Sequence, residues 1–121
     1  MATPNLINID TITPVLDAGA ITTSRADIID VTAEFVAKVN SLIIANIDGS
    51  NAADITVEVS VDNGSTYFAI AKTVSVPADA SIVVIGRDNF LYLDGTDLLA
   101  VTASANSDLT YAVSYELLKD A

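Results

Sequence analysis

Residues 54–73 read DITVEVSVDNGSTYFAIAKT. Ile55, Val57, Val59 and Val61 alternate with Thr56, Glu58, Ser60 and Asp62, the period of two that marks a strand with one buried face. Asn63-Gly64 follows, and this dipeptide suits a tight type I′ turn because both central residues need positive φ. A two-residue loop sets Asp62 opposite Ser65, Val61 opposite Thr66, Val59 opposite Phe68 and Val57 opposite Ile70. The apolar residues of both strands then share one face, which is an internal check on the register. The reading predicts Val59 and Phe68 as a cross-strand core pair. It sends Tyr67 to the other face with Glu58, Ser60, Ala69 and Ala71, pointing outward or at a neighbour.

The pattern continues on both sides of the hairpin. Thr, Val and Ile make up close to a third of the chain and gather in short runs separated by Asp, Asn, Gly, Ser and Pro. Pro77-Ala78-Asp79 marks a turn after Thr73–Val76, Ser81–Ile85 reads as a short apolar strand, and Phe90–Leu93 as another. Asp94-Gly95 is a second turn. Leu98–Ala103 and Leu109–Leu118 read as two closing strands joined by the polar loop Ser104–Asp108. Phe35–Ile47 fits a helical stripe as well as a strand. Its β-branched Val39 and Ile43-Ile44, and its all-β neighbours, favour a long strand with a bulge. The expected fold is all-β: an antiparallel β-sandwich, Ig-like or jelly-roll-like, of about 7–9 strands.

Residues 1–20 differ from the rest. Leu6, Ile7, Ile9, Ile12, Val15 and Leu16 are apolar, Pro4 and Pro14 interrupt them, and no turn returns the segment onto itself. They are expected to form an extended N-terminal arm that precedes a sandwich domain of residues 21–121 and crosses another chain. The competing placement is an extra edge strand on the chain's own sheet, where proline is tolerated.

Composition narrows the function. The 121 residues include no cysteine and no histidine, which removes disulfides, thiolate and imidazole metal ligands, and nucleophile–histidine pairs. Five basic residues against sixteen acidic ones give a formal charge of −11, the wrong sign for phosphate backbones or anionic membranes. No stretch approaches the roughly 20 apolar residues of a membrane span, and MATPNLINID lacks a secretory signal's basic and apolar regions. Charged residues are 17% of the chain against 51% from the apolar set, more than so small a domain hides alone. Some of that surface is expected to face another chain.

Individual residues offer little chemistry. The turns Asp48–Asn51, Asp62–Ser65 and Asp94–Asp97 hold oxygen donors of the kind calcium takes, but none has the spacing of a calcium loop. Turn formation alone accounts for them. A carboxylate pair for sugar hydrolysis is conceivable, yet seven aromatics without tryptophan leave little to hold a sugar. No catalytic, metal or cofactor-binding residue is expected. The candidate interface residues are Leu6, Ile7, Ile9, Ile12, Val15, Leu16, Tyr67 and two scarce cations, Arg25 and Arg87. Each arginine is expected to meet a carboxylate within the chain or across an interface.

Several segments together resemble a known group. These are Lys38–Asn46 running into Ile47-Asp48-Gly49, the Asp54–Asp62 strand, Val76-Pro77-Ala78-Asp79, Leu91–Leu98 and Tyr111-Ala-Val-Ser-Tyr115. From about Ala33 to Leu118 the order resembles small β-sandwich virion proteins of tailed bacteriophages, with one extra residue at Gly95-Thr96-Asp97-Leu98. The resemblance implies a non-enzymatic structural protein without cofactor: a capsid decoration (cement) protein on the virion surface, made in the host cytoplasm. Its implied partner is the major capsid protein or another virion protein, within a homo-oligomer whose expected form is a trimer, with no nucleic acid or membrane partner. A neck, tail or baseplate component is the alternative within the virion. A calcium- or carbohydrate-binding module is the alternative outside it.

Overall fold

The computed structural model describes residues 7–32 and 34–120. Among them lie nine strands: β1 (Ile9–Ala20), β2 (Ala26–Asp30), β3 (Phe35–Asn46), β4 (Ala53–Ser60), β5 (Phe68–Val76), β6 (Ser81–Ile85), β7 (Leu91–Leu93), β8 (Leu98–Ala103) and β9 (Leu109–Asp120). A single 3₁₀ turn, Arg87–Asn89, joins β6 to β7, and no helix among the described residues is long and apolar enough to cross a membrane.

The strands form two antiparallel sheets. One has the order β1-β9-β3-β6, with β7 also paired to β3; the other runs β2-β8-β4-β5. The pairs β4/β5, β3/β6, β2/β8 and β1/β9 are nested one outside the next, as if one long hairpin had been rolled up. That is the jelly-roll arrangement rather than the Ig-like one. The Asn63-Gly64 turn is the tip of the roll, and β1 and β9 are its two ends.

The core lies between the sheets. Val39, Leu42 and Ile44 of β3, with Leu109 and Val113 of β9, meet Ile55 and Val57 of β4 and Leu99 and Val101 of β8, all shut off from solvent. Each large aliphatic chain buried this way is worth about 1.5–3 kcal/mol. The ambiguous segment is a strand. The register of β3 on β9 slips between Val39 and Ser41, a bulge that keeps Val39 and Leu42 both facing inward.

The hairpin pairs Val59 with Phe68, as its alternation predicts, but two expectations need correction. Val57 pairs with Ala71 instead of Ile70 because β5 carries an extra residue there, and the register shifts again before Ile55↔Val74. Thr73, at this second irregularity, has φ +46°. Phe68 is 59% exposed and so is no core residue. It sits on β5, the outermost strand of its sheet, with a neighbouring strand on one side only.

Within the single chain the N-terminal segment takes the competing placement. Strand β1 runs antiparallel along β9 as an edge strand, from Thr11↔Lys119 to Ala20↔Thr110 without a break. Pro14 fits because an edge strand leaves alternate backbone nitrogens unpaired. Leu6 lies outside the described residues.

The quoted motifs meet around one buried side chain. The Asn46 carboxamide donates to the carbonyls of Asn51 and Val76, each at 2.9 Å, and accepts the Asp48 N–H at 2.8 Å. It ties the turn after β3 to the end of β5, and Asp79 N–H closes the junction on the Asp48 carbonyl.

Candidate functional site

The two outer faces of the sandwich contrast sharply. On the four-stranded sheet, Arg25 donates to both Glu58 carboxylate oxygens at 2.9 and 3.3 Å. Its guanidinium lies 4.0 Å from the centre of the Tyr67 ring, and Tyr67 Oη donates to Asp27 at 2.9 Å. That bond to a carboxylate raises the Tyr67 pKa above its ordinary value. The loop before β5 folds back over this face, with Asn63 N–H on the Thr96 carbonyl and Thr96 Oγ1 on that of Val61. Leu98 and Ala100 are buried on this side, opposite Ser60 and Glu58 in the ladder. Two of the candidate interface residues, Arg25 and Tyr67, are therefore brought together, and both find partners within the chain.

The five-stranded sheet is bare over most of its outer face, with Val36 and Leu118 buried at one end of it. Its outward residues form rows across the strands, read from the ladder pairs: Ile12–Leu118–Val36, Pro14–Glu116–Lys38–Tyr92, Leu16–Ser114–Ser41, Ala18–Ala112–Ile43–Val83 and Ala20–Thr110–Ala45–Ser81. Only Glu116 and Lys38 in these rows are charged, and they stand side by side. Leu16 is 73% exposed, Val83 65% and Ile12 58%. The small residues Ala18, Ala20, Ala45 and Ala112 line a shallow depression of about 490 Å³ on this face. Phe90 packs edge-on to Tyr92 at 5.6 Å, and Lys38 Nζ lies 5.0 Å from the Phe90 ring centre, so the border is aromatic.

The remaining candidates are dispersed. Ile12 and Leu16 lie on this bare face, Ile9 and Val15 are half-buried on the same strand, and the Ile7 side chain is exposed. Arg87 is exposed in the 3₁₀ turn, with no carboxylate in ion-pair range among the described residues. The depression and its rim (Ala18, Ala45, Ala112, Ile43, Val83) were not legible as a site. A hint was available in Thr110-x-Ala112-x-Ser114, where the solvent-side positions of a strand carry no charge.

The three Asp turns are held by their own chain. Asp48 accepts the N–H groups of Ser50 and Asn51, Asp62 that of Thr66 and the Ser60 hydroxyl, and Asp97 that of Asp94. These bonds hold the Asp48 and Asp62 pKa values below the ordinary carboxylate range. Among the described residues no three acidic groups converge as a metal ion requires.

No family model matches the chain, and no curated protein matches it. Solved structures do. A protein of Bacillus endospore appendages, which form disulfide-linked pili, superposes with a TM-score of 0.51 at 12% identity, covering 92% of this chain and 88% of that one. A protein of the T13 IBDV viral particle gives a TM-score of 0.51 at 8% identity over 93% of this chain and 32% of the other. A pentameric capsid protein from metagenomic phage sequences gives 0.41 at 17% identity, covering 95% and 62%. At these identities the likeness is one of fold: the chain shares its β-sandwich with proteins of a viral particle and of a spore pilus.

Proposed function

We propose that the protein is a non-enzymatic virion component, a decoration (cement) protein that lays its five-stranded sheet on the major capsid protein outside a phage head. The observation that carries this reading is the bare outer face, nearly uncharged on a chain of formal charge −11. A face of this kind is soluble enough to exist free and apolar enough to bind once a partner excludes water. The acidic residues of the turns and the other sheet would then point away from the lattice, which limits association between particles. The motif order shared with small phage virion proteins supports the same reading, as does the fold shared with a viral particle protein.

The second reading is a neck, tail or filament subunit. The endospore-appendage protein favours it, being matched over most of its length. A chain without cysteine would join such an assembly by non-covalent contacts alone.

Mass spectrometry of purified particles separates the readings. Decoration requires copies on the order of hundreds per icosahedral head, whereas a neck or tail ring needs about six or twelve. Absence from the particle overturns both. Val83→Glu places a charge on the rim of the bare face, where Val83 is already exposed. It should leave stability within about 0.5 kcal/mol while abolishing attachment to heads. Unchanged attachment would move the interface elsewhere.

A further inference from the structure

We propose that β1 is an exchangeable strand: residues 9–20 of one copy take their place on β9 of a second copy, linking subunits into an oligomer. This requires nothing of the capsid reading, because it rests on how β1 is held.

Three observations carry it. First, β1 pairs with β9 alone, and none of its residues belongs to the buried core. What holds the strand is mainly its backbone ladder. Second, among the described residues its one side-chain hydrogen bond is Tyr111 Oη to Asp17 at 2.9 Å, and Tyr111 is itself on β9. Among the described residues, the ladder and the side-chain bond that hold β1 are therefore both supplied by β9, and a second copy offers the same ladder and the same tyrosine. Third, the chain immediately after β1 is pinned to its own body. Ile21 is buried and its N–H bonds the Leu109 carbonyl at 2.9 Å; the Thr22 carbonyl accepts from Ala103 at 2.9 Å; Thr23 N–H bonds Asn106 at 3.0 Å. A swing point thus lies at Ala20–Ile21, between a strand outside the core cluster and a loop docked on the body.

Exchanging identical elements loses no contact type and costs little beyond bringing chains together. Twelve residues extend about 40 Å from that point, enough to lie along a neighbour's outer strand. Exchange in one direction around three copies closes a ring, the geometry expected of a trimer. Neighbours held in place also present β9 at high effective concentration.

The absence of cysteine makes the test clean. Leu16 and Ser114 face each other across β1 and β9, so cysteines there are in disulfide range only when β1 lies on β9. Leu16→Cys and Ser114→Cys proteins, each with a single cysteine, are concentrated together and oxidised. Strand exchange predicts a covalent mixed dimer on a non-reducing gel. It also predicts chains linked end to end when one protein carries both substitutions. As a register control, Leu16→Cys mixed with Thr110→Cys should not cross-link. Only intrachain disulfide in the double variant with no mixed dimer, a protein monomeric at every concentration, or equal linking through Thr110→Cys overturns the proposal.

Discussion

Tyr111 lies directly opposite Gly19 on β1, and a Cβ added to Gly19 would sit 3.4 Å from its ring and hydroxyl. The missing side chain lets the ring cross the strand and reach Asp17. Partial burial, then the Asp17 carboxylate, pushes the Tyr111 pKa up to about 12. An acid whose pKa is raised on folding stabilises the fold below its unfolded pKa, near 10, and loses that contribution as pH climbs to the folded value. Stability should therefore fall between about pH 10 and 12. Tyr111→Phe should cost about 0.5–1.5 kcal/mol at neutral pH and flatten that alkaline loss, read from denaturant curves at several pH values. Asn46 is the other residue with a large expected effect. Removing its carboxamide leaves the Val76 and Asn51 carbonyls and the Asp48 N–H unmatched at a buried junction. Asn46→Ala should cost about 2–4 kcal/mol in equilibrium unfolding.

The β4/β5 hairpin joins local sequence to rolled fold. Gly64 has φ +91°, and a Cβ there would approach Leu98 and the Tyr67 hydroxyl at 3.3 Å. Gly64→Val should destabilise by about 1–3 kcal/mol. Phe68→Ala should cost only about 1 kcal/mol or less, because the ring is mostly in water, whereas Leu99→Ala in the sealed core should cost about 2–5 kcal/mol. Chemical denaturation of the three proteins orders them. Period-two alternation located β4, since a half-buried strand writes its buried side into the sequence, whereas apolar and β-branched runs bounded by turn formers located β3, β6 and β8. It could not foresee the slips in β5. Thr73, a β-branched residue at positive φ, is a poor candidate on local grounds. Its N–H is met by Thr56 Oγ1 on β4 at 3.1 Å, a partner that exists only after the sheet has formed. Nor does alternation report whether the inward side is covered, and Phe68 is the case where it is not. Strand β2 escaped notice because Ala26–Asp30 offers only Ile28-Ile29 between polar residues.

At the scale of the molecule, half of the acidic residues lie in turns and loops, and the outward rows of the five-stranded sheet carry Glu116 as their one acid, with Asp10 and Asp17 along β1. That segregation was not legible, because it depends on which strands become neighbours. Glu58 could not be matched to Arg25, 33 residues away, before the ladder brought them together. Two copies at −11 repel until salt screens them, with a Debye length near 8 Å at physiological strength. Association through the bare face should therefore strengthen between very low and physiological ionic strength, as light scattering or sedimentation would record. Association that weakens steadily with salt would instead assign the interface to ion pairs, with Arg87 the first to substitute.

The nested roll also fixes an order of events in time. Asp17 and Tyr111 are 94 positions apart, and their strands are the outermost pair of the roll. Long-range pairing of this kind places folding on the millisecond-to-second scale. At synthesis rates of about 5–20 residues per second, β1 leaves the ribosome several seconds before the partner that will cover its edge exists. Through that interval it is an unpaired apolar strand in a crowded cell, the situation in which aggregation begins. Asp10, Pro14 and Asp17 interrupt it at intervals, and charges and prolines so placed oppose the pairing of an uncovered strand with other chains.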